Sequence, residues 1–420
     1  MRFNRSTIRG LLGSIALIAT LAPALAADDV SFDLKYGVLV SLTGESAPAG
    51  QAWNAATKLG IDQIKASIDR LGLEGITLEL TDSQDSQGSP AAGVEGAQKL
   101  VQIDNVDVIV GDFYSSITSA VATAVTMPNG KLIFTGGTSP ALSKLNTSTP
   151  AMLWQPVPAD DLQGKVLAQI IAKEFGANAK INVAARNDAY GTALAEVFTT
   201  AWKAGGGTVP KEVLYNPEQP TLDTEAQQLV DGAPDGWLFI DFCPTFEKLA
   251  LPLGRTGKWD PAKSFGADSL AQCARQGGKS YPGFRATQAS AAGGTSFGAF
   301  QKLFAEKVDK GIPFESTMAQ PFDSTFVVFL AALEAKSSDP TEIANHVQNV
   351  TNDPGTPYTY EQIDDAIKAV LKGEKIHYMG ASGPLNFGPD GRVNASLFDV
   401  WQHQPDNAPA TVIETIAFKP

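Results

Sequence analysis

The chain has 420 residues, 43% of them hydrophobic, with 45 acidic against 32 basic side chains and a formal net charge of −13. That hydrophobic content is globular and excludes intrinsic disorder, while the acidic balance argues against nucleic acid or anionic lipid as a partner.

At the start, "MRFNRSTIRG" supplies three arginines and "LLGSIALIATLAPALA" a short apolar run ending in small residues. This reads as a secretory leader spanning 1–26, with cleavage after Ala26. The run is too short, and too broken by Pro23, to span a bilayer, and no second long apolar stretch follows. No cysteine lies near Ala26, so a free periplasmic protein is expected rather than a lipoprotein. Removal of the leader leaves 394 residues with a charge of −16, more chain than one core usually organises.

Expected strands in the first half are "LKYGVLVSL", "GITLELTD", "VDVIVGD" and "KLIFTGG", separated by helical stretches such as "GQAWNAATKLGIDQIKASIDRL" and "AAGVEGAQKLVQI". The segment "LNTSTPAMLWQPVPADD", with prolines at 150, 156 and 158, reads as a connector between lobes. Beyond it the rhythm resumes with strands "AKINVAARND", "GGTVPKEVLY", "DGWLFIDF" and "AKSFGAD", and with helices "DLQGKVLAQIIAKEFG" and "YGTALAEVFTTAWKAGG". Strand and helix alternating in this way define an α/β fold with parallel sheets and helices on both faces, here in two lobes. After Phe284 come helices "FGAFQKLFAEKVDKG", "PFDSTFVVFLAALEAKS" and "YEQIDDAIKAVLKG", expected to cover the first lobe. Strand-like runs "GPLNFG", "SLFDVWQHQ" and "ATVIETIAF" close the chain.

Ligands of open parallel sheets bind at the carboxyl ends of the strands, so the residues after each strand carry the chemistry. After "VDVIVG" come Phe113, Tyr114, Ser115 and Ser116. After "KLIFT" come Gly136, Gly137, Thr138, Ser139 and Pro140, which suits a first helical turn. Any one of these hydroxyls reads equally as a helix cap. Taken together, Ser115, Thr138 and the Gly136 amide form a cradle for a carboxylate. On the second lobe, Tyr190 opens a helix as a lid or as edge packing. Asp268 is either a cap or the partner of an ammonium group.

Cys243 and Cys273 are the only cysteines, read either as one disulfide or as two separate buried thiols. "GTSFG" around Ser296 matches a nucleophile elbow, yet "ATQASAAGG" before it is no apolar strand, so no enzyme is expected. His346, His377 and His403 have no metal-ligand spacing and no phosphate loop occurs, so neither metal nor cofactor is expected.

Over essentially the whole mature chain the sequence resembles periplasmic solute-binding proteins of the branched-chain amino-acid type, which serve ATP-driven importers. The resemblance rests on the order of "VLVSLTGESAPAGQAWNAATKLGIDQI", "VGDFYSS", "TGGTSPAL", "PADDLQG", "NDAYGTALA" and "GASGPLNFGPDGR". It implies a type I periplasmic-binding-protein fold, two doubly wound lobes joined by a hinge that closes like a Venus flytrap. The expected first lobe is 29–154 plus 286–384 and the second 155–285 plus 385–420, with crossings near Trp154, Arg285 and Leu385. The implied ligand set is Ser115, Gly136 and Thr138 for a carboxylate and Asp160 at the next helix start, or Asp161 if the register slips. Tyr190 and Asp268 follow from lobe two, and Ala49, Phe113 and Cys243 lie along the wall. Ala49 stands where such proteins often carry a large aromatic, and Phe242 followed by Cys243 where they carry a tyrosine. Both departures point to a ligand bulkier or more apolar than leucine. The implied partners are a small-molecule amino acid or related carboxylate and an inner-membrane ABC permease, with the protein itself a monomer. Rival readings are a carrier of aromatic or other organic acids without an amino group, and a sensing module for a membrane receptor.

Overall fold

The computed structural model describes Met1 and residues 30–271, 273–276, 278–291, 294–393 and 396–418. The expected leader therefore falls outside the described residues. Five parallel strands form the first sheet: β1 (Phe32–Val40), β2 (Ile76–Asp85), β3 (Val108–Val110), β4 (Leu132–Phe134) and β5 (Leu153–Trp154), in the order β2-β1-β3-β4-β5. Strands β3 and β4 are buried along their whole length, as "VIV" and "LIF" require when both faces are covered. One face packs on α1 (Ala47–Leu71), whose Trp53, Ala56, Leu59, Ile64 and Ile68 recur at helical spacing; Gly72 ends it at φ +65°. The other face carries α2 (Pro90–Gln98) and α3 (Ser115–Val121).

The second sheet receives α4 (Asp160–Phe175) and α5 (Gly191–Ala204) on one face, α6 (Asp223–Leu229) and α7 (Cys243–Arg255) on the other. Its parallel strands are β6 (Ile181–Arg186), β7 (Glu212–Tyr215), β8 (Gly236–Ile240), β9 (Ser264–Gly266) and β10 (Arg285–Ala289). The chain then returns to the first sheet through α8 (Phe297–Lys307), α9 (Ala319–Ala335), α10 (Pro340–Thr351), β11 (Thr356–Tyr358), α11 (Ile363–Leu371), β12 (Ile376–Gly380) and β13 (Gly383–Pro384). It ends on β14 (Ser396–Gln402) and β15 (Thr411–Phe418), which extend the second sheet antiparallel in the order β15-β14-β10-β9-β8-β6-β7. The two sheets with helices on both faces are the expected α/β architecture. The second is mixed rather than wholly parallel, because the short turn from β14 to β15 permits only an antiparallel pair.

Two local expectations change. No α-helix follows Pro140: residues 136–142 are coil and turn, with only a single helical turn at Ser143–Leu145, since "KLNTST" has no apolar period to hold a helix on the sheet. Conversely, α10 lies where the sequence reading placed no element. It is set by Asp339, whose Oδ1 accepts from the amides of Thr341 and Glu342 at 2.9 and 3.1 Å, and by Ile343, Val347 and Val350 on one face.

Three passages join the sheets. The first follows β5 through Gln155, the second follows Ala289, with Arg285 itself inside β10, and the third runs from β13 to β14. They lie side by side. The Gln155 amide donates to Gly391 O at 2.7 Å, and its side-chain amide donates to the carbonyls of Gly137 and Ser139. Gly294 passes so close to Ala381 that a β-carbon would meet its carbonyl oxygen at 2.1 Å. The β12–β13 turn ahead of the third passage is anchored by Asp323 of α9, which is fully buried and accepts from the Tyr378 hydroxyl (2.8 Å), the amides of Ala381 (2.9 Å) and Ser382 (2.8 Å), and the Ser382 hydroxyl (2.6 Å). Asp323→Ala strands these buried donors, so equilibrium urea unfolding is expected to show a loss of about 3 kcal/mol or more. A loss below about 1 kcal/mol would show that water takes over the carboxylate's role.

Candidate functional site

Between the sheets, at the carboxyl ends of β3, β4, β8 and β9, lies a cavity of about 250 Å³. Its first-lobe wall includes Ala49, Trp53, Phe113, Gly136 and Thr138, and its second-lobe wall Tyr190, Phe242, Cys243, Asp268 and Ser269. Of the sequence-expected residues, Ala49, Phe113, Gly136, Thr138, Tyr190, Cys243 and Asp268 are thus brought to one cavity. Ser115 and Asp160 are not on its wall.

Ser115 is the first residue of α3 and is buried, with Tyr114 in the cap position and no side-chain cap bond at that helix. Its hydroxyl accepts from the Ser139 amide at 3.1 Å, bracing the β3 turn against the β4 turn. The expected amide donor at Gly136 is also turned inward, toward Asp112 O at 3.1 Å. Gly136 is required for a different reason: a β-carbon there would meet Trp53 at 2.6 Å and Phe113 at 2.9 Å, so its absence lets both rings reach the wall.

Asp160 opens α4 just behind Thr138, its amide donating to Thr138 O at 2.9 Å. It is fully buried and neither carboxylate oxygen has a hydrogen-bond partner of good geometry. Burial, then the neighbouring Asp268 and Asp161, hold its pKa well above the ordinary carboxylate value, against the pull of the Thr138 hydroxyl. Asp268 opens the turn after β9, and the Tyr190 hydroxyl donates to it at 2.5 Å. Burial raises the Asp268 pKa despite that bond and the Ser269 amide. Tyr190 is positioned by Asp188, whose Oδ1 accepts from the amides of Tyr190 (3.0 Å) and Gly191 (2.9 Å) as α5 starts. Asp268 and Tyr190 thus meet on the cavity wall, and Asp160 lies buried behind Thr138 with its proton held to higher pH by burial and by Asp268.

Cys243 and Cys273 form a disulfide with Cα atoms 5.5 Å apart. It ties the start of α7 to the turn that carries Asp268, fixing two parts of the second-lobe wall to each other. Asp161, the alternative to Asp160, instead pairs with Arg392 at 3.1 Å across the first and third passages.

Aromatic rings run across the cleft in an unbroken line that sequence reasoning missed. Trp53, Phe113, Tyr114, Phe242 and Tyr190 follow one another with centroid spacings of 6.1, 5.2, 4.6 and 5.5 Å. The Tyr114–Phe242 step joins the two lobes. Arg186 at the end of β6 lies over Phe242 at 4.2 Å and near Tyr114 at 5.8 Å, while its charge is met by Asp188 and by Asp241 at 3.6 Å. A parallel at the strand ends underlies the line. "GDF" after β3 and "IDF" after β8 each place a buried aspartate, Asp112 and Asp241, whose carboxylate accepts an amide of the aromatic segment that follows (Tyr114 and Phe242, both 2.8 Å). That repeated Asp-Phe pair was the available signal. Other missed wall residues include Gln288, Glu315 and Met318, which come from β10 and the α8–α9 connection and which no local motif marks.

Elsewhere, Ser296 is buried as the cap residue of α8, and among the described residues its hydroxyl has no hydrogen-bond partner. Among the described residues, no group of three or more His, Cys, Asp or Glu is arranged to hold a metal ion, and no helix is long and apolar enough to cross a membrane.

A two-lobed α/β chain with its cavity between strand ends is a solute-binding architecture. The periplasmic binding protein family model matches residues 33–397, and the chain belongs to that family, whose members are extracytoplasmic. It is similar to a leucine-binding protein LivK of Thermotoga maritima (17% identity, TM-score 0.73, covering 91% of this chain and 98% of that one). A Streptococcus pneumoniae LivJ in complex with isoleucine (18%, 0.70, 93% and 100%) and a Rhodopseudomonas palustris solute-binding protein in complex with 4-hydroxybenzoate (17%, 0.70, 93% and 98%) share the fold. A curated relative, the chemotactic signal transduction system substrate-binding protein BasB of Halobacterium salinarum, is 21% identical over 308 residues, covering 72% of this chain and 71% of its own.

Because the ring of Tyr114 is the first-lobe side of the contact with Phe242 and Arg186, Tyr114→Ala is expected to favour the open form. Aromatic and cation–π contacts of this kind contribute about 1–2 kcal/mol, so small-angle scattering should show a larger radius of gyration and ligand affinity should fall about tenfold. An unchanged radius and affinity would mean that this contact does not hold the lobes.

Burial also sets a pH dependence. It raises the pKa of Asp112 and Asp241 to about 7 and that of Asp323 to about 6. Unfolded aspartates titrate near about 4, so these groups bind protons more tightly when folded and the fold loses stability as pH rises from about 4 to about 7. The melting temperature is expected to be higher at pH 5.5 than at pH 8, and Asp112→Asn should narrow that difference. A flat profile would contradict the assignment.

Proposed function

We propose that this chain is the extracytoplasmic substrate-binding component of an ABC importer, capturing an amino acid, branched-chain or bulkier, in the interlobe cleft and delivering it to a membrane permease. The observation that carries this reading is the buried Asp268 on the cavity wall beside Tyr190, with the fully buried Asp160 behind Thr138. An ammonium group there donates to Asp268. Thr138 lies on the wall beside it, its hydroxyl acting on Asp160. The aromatic line receives the apolar side chain, and a small residue at Ala49 leaves room for it. Closure about the three passages removes the ligand from water and offers the permease a distinct shape. No covalent step is involved.

The rival ligand class, aromatic acids lacking an amine, is what the Rhodopseudomonas palustris neighbour holds. It is less favoured because a ligand without an amine gives Asp268, buried on the wall, no cation to meet. A sensing role has one specific support, the chemotactic relative, and differs from transport in the membrane partner rather than in the cleft.

A thermal-shift screen of the leaderless protein against amino acids, aromatic acids and small amides tests the reading, since a ligand bound only by the folded state raises the melting temperature. Leucine, valine or a larger amino acid is expected to give a shift that Asp268→Asn removes, with affinity down about tenfold to a hundredfold for the lost charged hydrogen bond. Shifts confined to acids without an amine would overturn it.

A further inference from the structure

Two separate stretches of chain contribute to the second-lobe wall of the cavity. The start of α7 supplies Cys243, Pro244 and Glu247, and the segment after β9 supplies Asp268, Ser269 and Gly278. That segment is fixed at its ends by the sheet and by His403. The Ala267 amide donates to Phe239 O at 3.0 Å, and the buried His403 ring accepts from the Tyr281 amide at Nδ1 (3.2 Å) and donates from Nε2 to Leu270 O (2.8 Å). Its middle rests on α7 instead. Cys273 is bonded to Cys243, the Lys279 amide donates to Glu247, and the Cys243 sulfur lies 3.2 Å from Ser269 O. Gly278, between these ties, packs so close that a β-carbon would meet Glu247 Oε1 at 2.7 Å. Cys243 and Glu247 stand one helical turn apart, so one face of α7 both lines the cavity and carries the middle of the segment. The sheet beneath is joined by the β8–β9 and β9–β10 pairs, which do not pass through the disulfide.

We propose that the Cys243–Cys273 disulfide is a positioning element of the ligand site, and that its reduction lowers ligand affinity while the second sheet stays folded. Cleavage lets the middle of the segment, with Gly278, part from α7 and opens that side of the cavity to water. The step is thiol–disulfide exchange with a dithiol. One thiolate of the reductant attacks a protein sulfur, which breaks the S–S bond, forms a mixed disulfide and releases the other cysteine. The second thiolate then closes the reductant's own disulfide and releases the first, so two electrons and two protons end on the Cys243 and Cys273 thiols. By linkage, a ligand favours the disulfide by the same factor as the disulfide favours the ligand. The inference rests on the interlobe cavity being the ligand site and adds to that reading a dependence on redox state.

The test compares the leaderless protein oxidised, reduced with dithiothreitol, and as the paired variant Cys243→Ala with Cys273→Ala, which covers a disulfide that resists the reductant. Without ligand, hydrogen–deuterium exchange in the peptide that carries Cys273 and Lys279 is expected to quicken about tenfold or more in both altered forms, with β8 and β9 unchanged. Calorimetry with L-leucine, L-phenylalanine and 4-hydroxybenzoate is expected to show the Kd of whichever binds rising about tenfold or more on reduction. Reoxidation with oxidised glutathione should restore it. An unchanged exchange rate in that peptide, or a Kd within about twofold in the altered forms, would overturn the inference. So would faster exchange across the whole second sheet, which would make the bond a general support of the lobe. Binding of 4-hydroxybenzoate alone, weakened in the same way, would overturn the amino-acid reading and leave the inference standing. Binding of none of the three would overturn the amino-acid reading, and the exchange comparison then decides the inference by itself.

Discussion

The cost of burying carboxylates at strand ends is the constraint on which this cleft depends. Asp112, Asp160, Asp241 and Asp268 stand just beyond strands or at the helix starts that follow them, where backbone amides are unpaired and water is largely excluded. Each of the four is held above its ordinary pKa by that burial. Two of them, Asp112 and Asp241, are satisfied internally and spend their bonds on holding aromatic segments in place. Asp268 is likewise met, by the Tyr190 hydroxyl and by Ser269, and of the four Asp160 alone has carboxylate oxygens without a hydrogen-bond partner of good geometry. The same residue type in the same topological position thus serves as scaffold in both lobes, and at Asp268 is the group proposed to meet the ligand.

This division explains why the aromatic line is where it is. An aromatic residue on a loop at a sheet edge has many rotamers and backbone states open to it. The amide bonds from Tyr114 and Phe242 to buried carboxylates remove much of that freedom before the lobes meet. When they meet, Tyr114 and Phe242 join two lines of rings into one, with Arg186 lying over the joint. The passages between the lobes are themselves pinned, by Gln155 across the first and third, while Asp323 fixes the β12–β13 turn from which the third departs.

Much of this was legible in the chain. Two runs of alternating strand and helix, a proline-rich connector and a helical stretch beyond Phe284 required two α/β lobes with crossings between them, because apolar periodicity reports which faces are covered. Position after a strand was likewise enough to pick out Thr138, Tyr190 and Asp268, since open parallel sheets gather those positions at one edge. The glycines and hydroxyls of "TGGTSP" and "YSS" were legible as special, but not as to purpose.

Purpose was decided by tertiary structure. Whether an amide at Gly136 faces a ligand or Asp112, and whether Ser115 reaches the cavity or Ser139, depends on which neighbour arrives within hydrogen-bond distance, and nothing local records that. The same holds for Trp53, drawn from the middle of α1 to the wall by the missing β-carbon of Gly136, and for Glu315, brought there by a connection distant in sequence. By itself the sequence determined the two-lobed architecture and the edge at which its ligand-binding positions gather, because both follow from local periodicity and from strand direction. Only the assembled lobes decided which polar groups remain free for a ligand, because hydrogen-bond satisfaction belongs to pairs of residues that meet only when the chain is folded.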